Sequence, residues 1–159
     1  VIQYNYSHHN HWFCGIMRKY NKDVVIRYNV SINDLLGAYM YGFPDDDNLH
    51  GVHVHDNIHY FDKSTQANVF ASPGRLRVPI KTRFTNNVFI FEKPAGWGVE
   101  PDQSCEFHGN QFYNFVPGGD VLDGTDPGST SDTLDLLRQT AFIAKELLRA
   151  GVRRPELFK

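Results

Sequence analysis

The segment Val25-Ile26-Arg27-Tyr28-Asn29-Val30-Ser31 decides the fold, because its central pattern occurs five times along the chain. Each copy places an apolar or aromatic residue three positions before an asparagine. The copies are Ile2–Asn5, Ile26–Asn29, Val54–Asn57, Phe84–Asn87 and Phe107–Asn110, with successive asparagines 24, 28, 30 and 23 residues apart. A period of this length is typical of stacked repeats.

Alternation around each asparagine predicts short β-strands. The position two before the asparagine holds Gln, Arg, His, Thr or His, next to the apolar position. Such in–out alternation is typical of a strand with one buried face. The asparagine separates two strand pieces, and we expect it to adopt the left-handed backbone at a sharp bend. Stacked repeats would then pair the asparagine amides with one another.

A further strand is predicted after each bend. The predicted segments are Cys14–Met17, Leu36–Tyr41, Asn68–Ala71 and Trp97–Val99. Each repeat therefore contains two or three short strands joined by turns, and insertions between repeats fall in loops. Units of this kind stack into a parallel β-solenoid.

The segments Ile2–His8, Val25–Ser31 and Asn86–Phe89 resemble the right-handed parallel β-helix proteins of the pectate-lyase-like superfamily. The resemblance covers residues 1–115. It implies an all-β solenoid, a right-handed parallel β-helix of about 4–5 coils, with an asparagine ladder between its second and third strands. In this chain the ladder would be Asn5, Asn29, Asn57, Asn87 and Asn110. The resemblance leaves function open, because one fold hosts many activities.

The C-terminal part of the chain has a different pattern. Residues 117–133 are rich in Gly, Asp, Ser, Thr and Pro, which is typical of a loop. Residues 134–150 have helical periodicity, with Gly151 at the end and Ser131 or Asp132 as a candidate N-cap. The predicted organisation is coils over residues 1–116, a loop, and a helix that packs on the solenoid or docks a partner.

Composition narrows the function classes. The formal charge of −2 and the absence of a basic run argue against nucleic acid as a partner. No apolar stretch has the length of a membrane span. The distant Cys14 and Cys105 are predicted to be free, buried thiols. The resemblance implies a secreted or periplasmic protein.

The chain begins at Val1, inside a repeat, which favours the C-terminal part of a longer protein. An uncovered first coil exposes strand edges that pair readily with other chains. We therefore expect a preceding segment or a partner chain to cover the first coil.

The resemblance places substrates along the first strand of each coil and its flanking turns. Three segments of this chain fall there. They are Ser7–Trp12 with His9 and His11, the turn Asn33–Asp34, and Arg18 and Lys19 with Tyr39, Tyr41 and the acidic run Asp45, Asp46 and Asp47. We expect Asp34, His9 and His11 to be catalytic, and Trp12, Arg18, Lys19, both tyrosines and the acidic run to bind substrate.

These residue types suit a poly- or oligosaccharide site. Carboxylates perform acid, base and nucleophile roles in glycoside hydrolysis, which makes a glycoside hydrolase the leading prediction. A polysaccharide lyase is the alternative, with a base that removes a proton beside a uronate carboxyl. A noncatalytic glycan-binding or structural solenoid is the third.

Each candidate also has a purely structural interpretation. His8–His11 reads as a solvated turn and Asp45–Asp47 as a surface loop, although carboxylates there could ligate Ca²⁺. His53 and His55 lie on one strand face as a zinc pair would, but no third ligand has a useful spacing. We therefore predict no cofactor.

Overall fold

A computed structural model describes residues 1–17, 22–42, 49–71, 78–116 and 131–158 of the chain. The strands in these residues are β1 (Ile2–Gln3), β2 (Tyr6–His8), β3 (Trp12–Met17), β4 (Val25–Arg27), β5 (Val30–Ile32), β6 (Gly37–Gly42), β7 (Val52–His55), β8 (Ile58–Phe61), β9 (Asn68–Ala71), β10 (Thr82–Thr85), β11 (Val88–Ala95), β12 (Glu106–His108) and β13 (Gln111–Phe115).

The strands form three parallel sheets. The first sheet has the order β1-β4-β7-β10-β12, the second β2-β5-β8-β11-β13, and the third β3-β6-β9. Each strand pairs with its equivalent one repeat later, as in Ile2 with Ile26 and Ile26 with Val54. The pattern is compatible with a parallel β-helix. It follows from the repeat, because each copy of the pattern contributes equivalent strands that lie side by side, and the differences in repeat length fall in loops.

The predicted asparagine ladder is present between the first and second sheets. The Asn29 side-chain amide donates to Asn57 Oδ1 at 2.9 Å, and Asn57 donates to Asn87 Oδ1 at 2.9 Å. Asn5 and Asn110 extend the ladder at its two ends. Each inner amide also donates to backbone carbonyls, so the ladder satisfies polar groups that the bend leaves without strand partners.

The left-handed backbone lies one residue earlier than we predicted. The residue before each ladder asparagine has a positive φ, and these residues are Tyr4, Tyr28, Asp56, Asn86 and Gly109. None of the asparagines does. The asparagine instead uses its side chain to bond neighbouring repeats, and this requirement fixes its identity more strongly than the bend does.

Inward side chains fill the space between the sheets with stacked aromatic rings. Phe84 stacks on Phe107, and Phe89 on Phe112, both with ring centroids 4.9 Å apart. Trp97 is buried beside Phe107. The two cysteines are free and buried, which confirms that prediction.

One predicted strand is absent. Residues 97–99 lie outside any strand, although the carbonyl of Trp97 accepts a hydrogen bond from the N–H of Phe70 at 2.8 Å. The chain there lies beside β9 but forms only part of the hydrogen-bonding pattern of a strand. Gly98, at φ 75°, interrupts it: a β-carbon there would lie 2.2 Å from the Phe70 carbonyl oxygen.

The C-terminal helix α1 spans Ser131–Arg149, three residues longer at its start than predicted. It packs on β2, β5, β8 and β11 of the second sheet. Ala141, Ala144 and Leu148 are its buried face, and they contact the outward apolar residues of that sheet. A short 3₁₀ helix, Pro155–Phe158, follows and buries Phe158 in the same cluster.

Candidate functional site

The turns that join the second sheet to the third lie directly above one another. We call residues 9–11, 33–36 and 62–67 the turn stack. The N–H of His9 donates to the Asn33 carbonyl at 3.2 Å, and the N–H of Leu35 donates to the Asn10 carbonyl at 2.7 Å. The expected proximity of the His9 and Asp34 segments is therefore present.

Asp34 is a fully buried anchor of this stack. Its Oδ2 accepts hydrogen bonds from the hydroxyls of Ser7 and Ser31 at 2.8 and 2.6 Å. Its Oδ1 accepts from the N–H of Asn10 at 2.9 Å. Because the carboxylate has no exposed surface, it does not face a substrate in this conformation. It holds the turn in shape.

His9, His11 and Trp12 lie at the first turn of the stack, where both histidines are exposed and Trp12 is half-buried. The rings of His11 and Trp12 are 5.7 Å apart. Trp12 Nε1 lies 3.6 Å from the position that a β-carbon of Gly15 would take. The indole therefore rests beside the bare backbone of β3, where a ligand has access to part of its surface.

Tyr39 and Tyr41 point into the core instead of the groove. Both are almost fully buried, with hydroxyls 2.8 Å from His59 Nε2 and 2.7 Å from Thr82 Oγ1. Strand alternation is the reason, because it turns residues 39 and 41 inward together. Their rings offer no face to a sugar. The other predicted binding residues, Arg18, Lys19, Asp45, Asp46 and Asp47, lie outside the described residues.

Sequence reasoning missed two carboxylates, Asp62 of the turn stack and Glu92 on β11. Asp34, Asp62 and Glu92 each occur five positions after a ladder asparagine, and we call them the carboxylate column. Phe61 pairs with Phe91 in register, so Asp62 and Glu92 occupy neighbouring positions on adjacent chain segments. Counting from the ladder would have found them. Unlike Asp34, both are only partly buried.

Asp62 is held in its ionised form by hydrogen bonds. Its Oδ1 accepts from the N–H of Ser64 at 2.8 Å, and its Oδ2 accepts from the side-chain amide of Asn33 at 2.6 Å. Partial burial raises the pKa of Asp62, but bonds from Ser64, Asn33 and Thr65 outweigh that effect and lower it. The carboxylate is therefore an anion at neutral pH.

Glu92 lies in a cleft between the second sheet and α1. Tyr60 Oη donates to Glu92 Oε1 at 2.5 Å. Burial and this bond raise the pKa of Tyr60, so the tyrosine keeps its proton. Arg138 and Phe142 of α1 line the cleft, and the ring of Phe142 packs 5.9 Å from that of Tyr60. Acid, hydroxyl, cation and aromatic groups thus converge here.

The outward face of the first sheet carries the histidines considered for zinc. The rings of His53 and His55 lie 4.4 Å apart. His53 Nε2 is 2.8 Å from Thr85 Oγ1, and His55 Nδ1 is 2.6 Å from Asp56 Oδ2. Burial, then His55 and then Arg83 lower the pKa of His53. Within the described ranges, no three His, Cys, Asp or Glu residues cluster as metal ligands.

An apolar cavity of about 360 Å³ lies elsewhere, between the second sheet, α1 and the 3₁₀ helix. Ile58, Val88, Leu137 and Phe158 are among its lining residues. Its lining lacks a pair of neighbouring carboxylates. We therefore place the candidate site at the turn stack and the carboxylate column, where the reactive side chains lie.

No protein-family model, curated protein or solved structure matches this chain. Of the helices in the described ranges, none has the length and apolar character needed to cross a bilayer.

Proposed function

We propose that this protein is a secreted or periplasmic carbohydrate-active enzyme with a right-handed parallel β-helix, and that it hydrolyses glycosidic bonds of a poly- or oligosaccharide. The observation that carries the proposal is the partly exposed pair Asp62 and Glu92, which stand at neighbouring levels and line the cleft between the second sheet and α1. Paired carboxylates are the usual chemical requirement of glycoside hydrolysis.

Asp62 and Glu92 stand at neighbouring positions of adjacent chain segments. We propose a retaining mechanism, in which one carboxylate is the nucleophile and the other is the acid and then the base. Asp62, kept ionised, attacks the anomeric carbon while Glu92 protonates the departing glycosidic oxygen. Glu92 then takes a proton from water as the water displaces Asp62.

Other groups of the cleft and of the turn stack suit sugar recognition. Phe142 and Trp12 are partly exposed aromatic surfaces on which a pyranose ring can stack. Arg138 and the exposed Lys63 supply hydrogen-bond donors near the carboxylates. His9 and His11 lie at the other end of the stack. In this proposal Asp34 is a positioning residue, because it holds the turn that carries the histidines.

Noncatalytic glycan binding is the second candidate function. Two observations favour it: Asp34 is buried, and several hydrogen bonds already engage Asp62. Binding requires the same groove but no free nucleophile. An enzyme shows turnover that is lost when a carboxylate is removed. A noncatalytic protein binds the saccharide but shows no turnover in any variant.

The test is a polysaccharide panel assayed for reducing ends and for unsaturated products, which also detects a lyase. Wild type is compared with Asp62→Asn and Glu92→Gln, and with Glu106→Gln as the control. Glu106 is 56% exposed and pairs with Arg83 on the first sheet. We expect both groove variants to lose turnover by orders of magnitude, with the control unchanged. Wild-type turnover in Asp62→Asn and Glu92→Gln would refute the assignment.

A further inference from the structure

One side of α1 carries an apolar stripe whose two largest exposed members are Leu136 and Ile143. Leu136 is 64% exposed and Ile143 is 61% exposed. Leu147 and Ala150 continue the stripe, at spacings of seven, four and three residues. This spacing is that of a coiled-coil seam. The opposite side of the helix already packs on the second sheet, so the stripe is a second apolar face.

Charge is distributed unevenly along the same helix. Asp132 and Asp135 lie near its start, Arg149 ends it, and Arg153 and Arg154 follow. Two such helices in parallel would bring like charges together at both ends. An antiparallel pair places each acidic start beside a basic end, and it also aligns the helix dipoles favourably.

We propose that α1 is a self-association surface, and that its occupant is α1 of a second copy of this chain in antiparallel orientation. Ile143 lies on the twofold axis, so it packs against Ile143 of the second copy. Leu136 then faces Ala150 of the second copy, and the acidic first turn of each helix, with Asp132, lies alongside the basic last turn of the other, with Arg149. The apolar contacts and the charge pairs are satisfied in one register.

The size of the seam sets its strength. A helix of 19 residues is about 28 Å long. One helix pair lies at the small end of the range for specific interfaces, so the dimer is reversible and forms as concentration rises. Asp62 and Glu92 lie outside this interface, whereas Phe142 borders both the stripe and the cleft that contains Glu92.

Sedimentation velocity of the full chain over a concentration series is the first measurement. We expect the apparent mass to rise from 18.3 kDa towards twice that value. Ile143→Asp should remain monomeric with an unchanged circular dichroism spectrum, because the exposed side chain does not support the fold. A chain that is monomeric at every concentration, or a dimer that survives Ile143→Asp, would overturn the proposal.

Cysteine cross-linking tests the register. Ile143→Cys should form a disulfide-linked dimer under mild oxidation, because residue 143 faces itself across the twofold axis. Arg149→Cys is the matched control, with the native side chain 61% exposed on the same helix. In the proposed dimer, position 149 of the second copy lies about 18 Å along the helix axis from position 149 of the first. This is beyond the roughly 7 Å reach of a disulfide. The native cysteines are buried and contribute little background. Equal cross-linking of both variants, or none of Ile143→Cys, would refute the register.

Discussion

The carboxylate of Asp34 accepts a hydrogen bond from the backbone N–H of Asn10 at 2.9 Å, across 24 positions of sequence. The bond joins equivalent turns of two successive repeats. It lies beside the bonds from Ser7 and Ser31, so one buried side chain organises a turn and both strands that lead to it. The conformation of the exposed His9–His11 segment thus depends on a residue that the solvent does not reach.

Replacement of Asp34 by Asn should therefore reduce stability. The amide keeps the shape but supplies weaker acceptors than the carboxylate, and hydrogen bonds to charged groups contribute about 1.5–3 kcal/mol each. We expect a lower denaturant midpoint than for Asp135→Asn, whose side chain is 60% exposed on α1. An unchanged midpoint together with abolished turnover would instead support the catalytic role first predicted for Asp34.

Asn57→Leu should destabilise the protein more than Asn5→Leu. Asn57 is fully buried and accepts bonds from the backbone and side chain of Asn29, whereas Asn5 is an exposed end of the ladder. Each buried polar group left without a partner costs about 1–3 kcal/mol. Thermal and urea unfolding measure the difference. Equal midpoints for the two variants would contradict the cooperative ladder.

His59 should make stability fall as pH decreases. It is fully buried, its Nδ1 has no hydrogen-bond partner, and burial lowers its pKa from 6.5 to about 3. The unfolded chain therefore binds a proton that the folded chain does not between these two pH values. Stability is lost as pH falls through that window, by up to about 1.4 kcal/mol per unit.

The double variant Tyr39→Phe with His59→Phe should remove that part of the pH dependence. It replaces both partners of a buried hydrogen bond and retains a ring against Phe89, on which His59 stacks at 4.9 Å. Urea unfolding between pH 6.5 and 5 is the measurement, since most carboxylates stay ionised there. The same slope in wild type and the double variant would show that His59 does not titrate as described.

Saccharide binding should change the fluorescence of one tryptophan only. Trp12 is half-buried beside the first turn of the turn stack, whereas Trp97 is 4% exposed within the core. Trp12→Phe should abolish the ligand-induced change, and Trp12→Ala should raise KM by removing the stacking surface. A change that persists in Trp12→Phe would place the ligand elsewhere.

The recurring asparagine pattern predicted the repeats, the parallel pairing and the ladder, because stacked repeats require the same residue types at equivalent positions. Alternation within residues 36–41 also predicts that Tyr39 and Tyr41 face the core. The assignment of both tyrosines to substrate binding did not take this into account. No sequence pattern indicates that Asp34 is buried, because its burial depends on hydrogen bonds from serines of two different repeats. Asp62 and Glu92 were hidden because neither stands in a conspicuous motif, and only the register of stacked repeats brings them together.

Hydrogen–deuterium exchange locates the saccharide site, with an oligosaccharide from the panel that the wild-type protein hydrolyses or binds. With Glu92→Gln to prevent turnover, we predict that ligand protects residues 8–12, 33–36, 61–66 and 90–93, and that residues 53–55, 82–85 and 106–108 of the first sheet are unaffected. Protection confined to the first sheet, with none along the turn stack, would contradict the account.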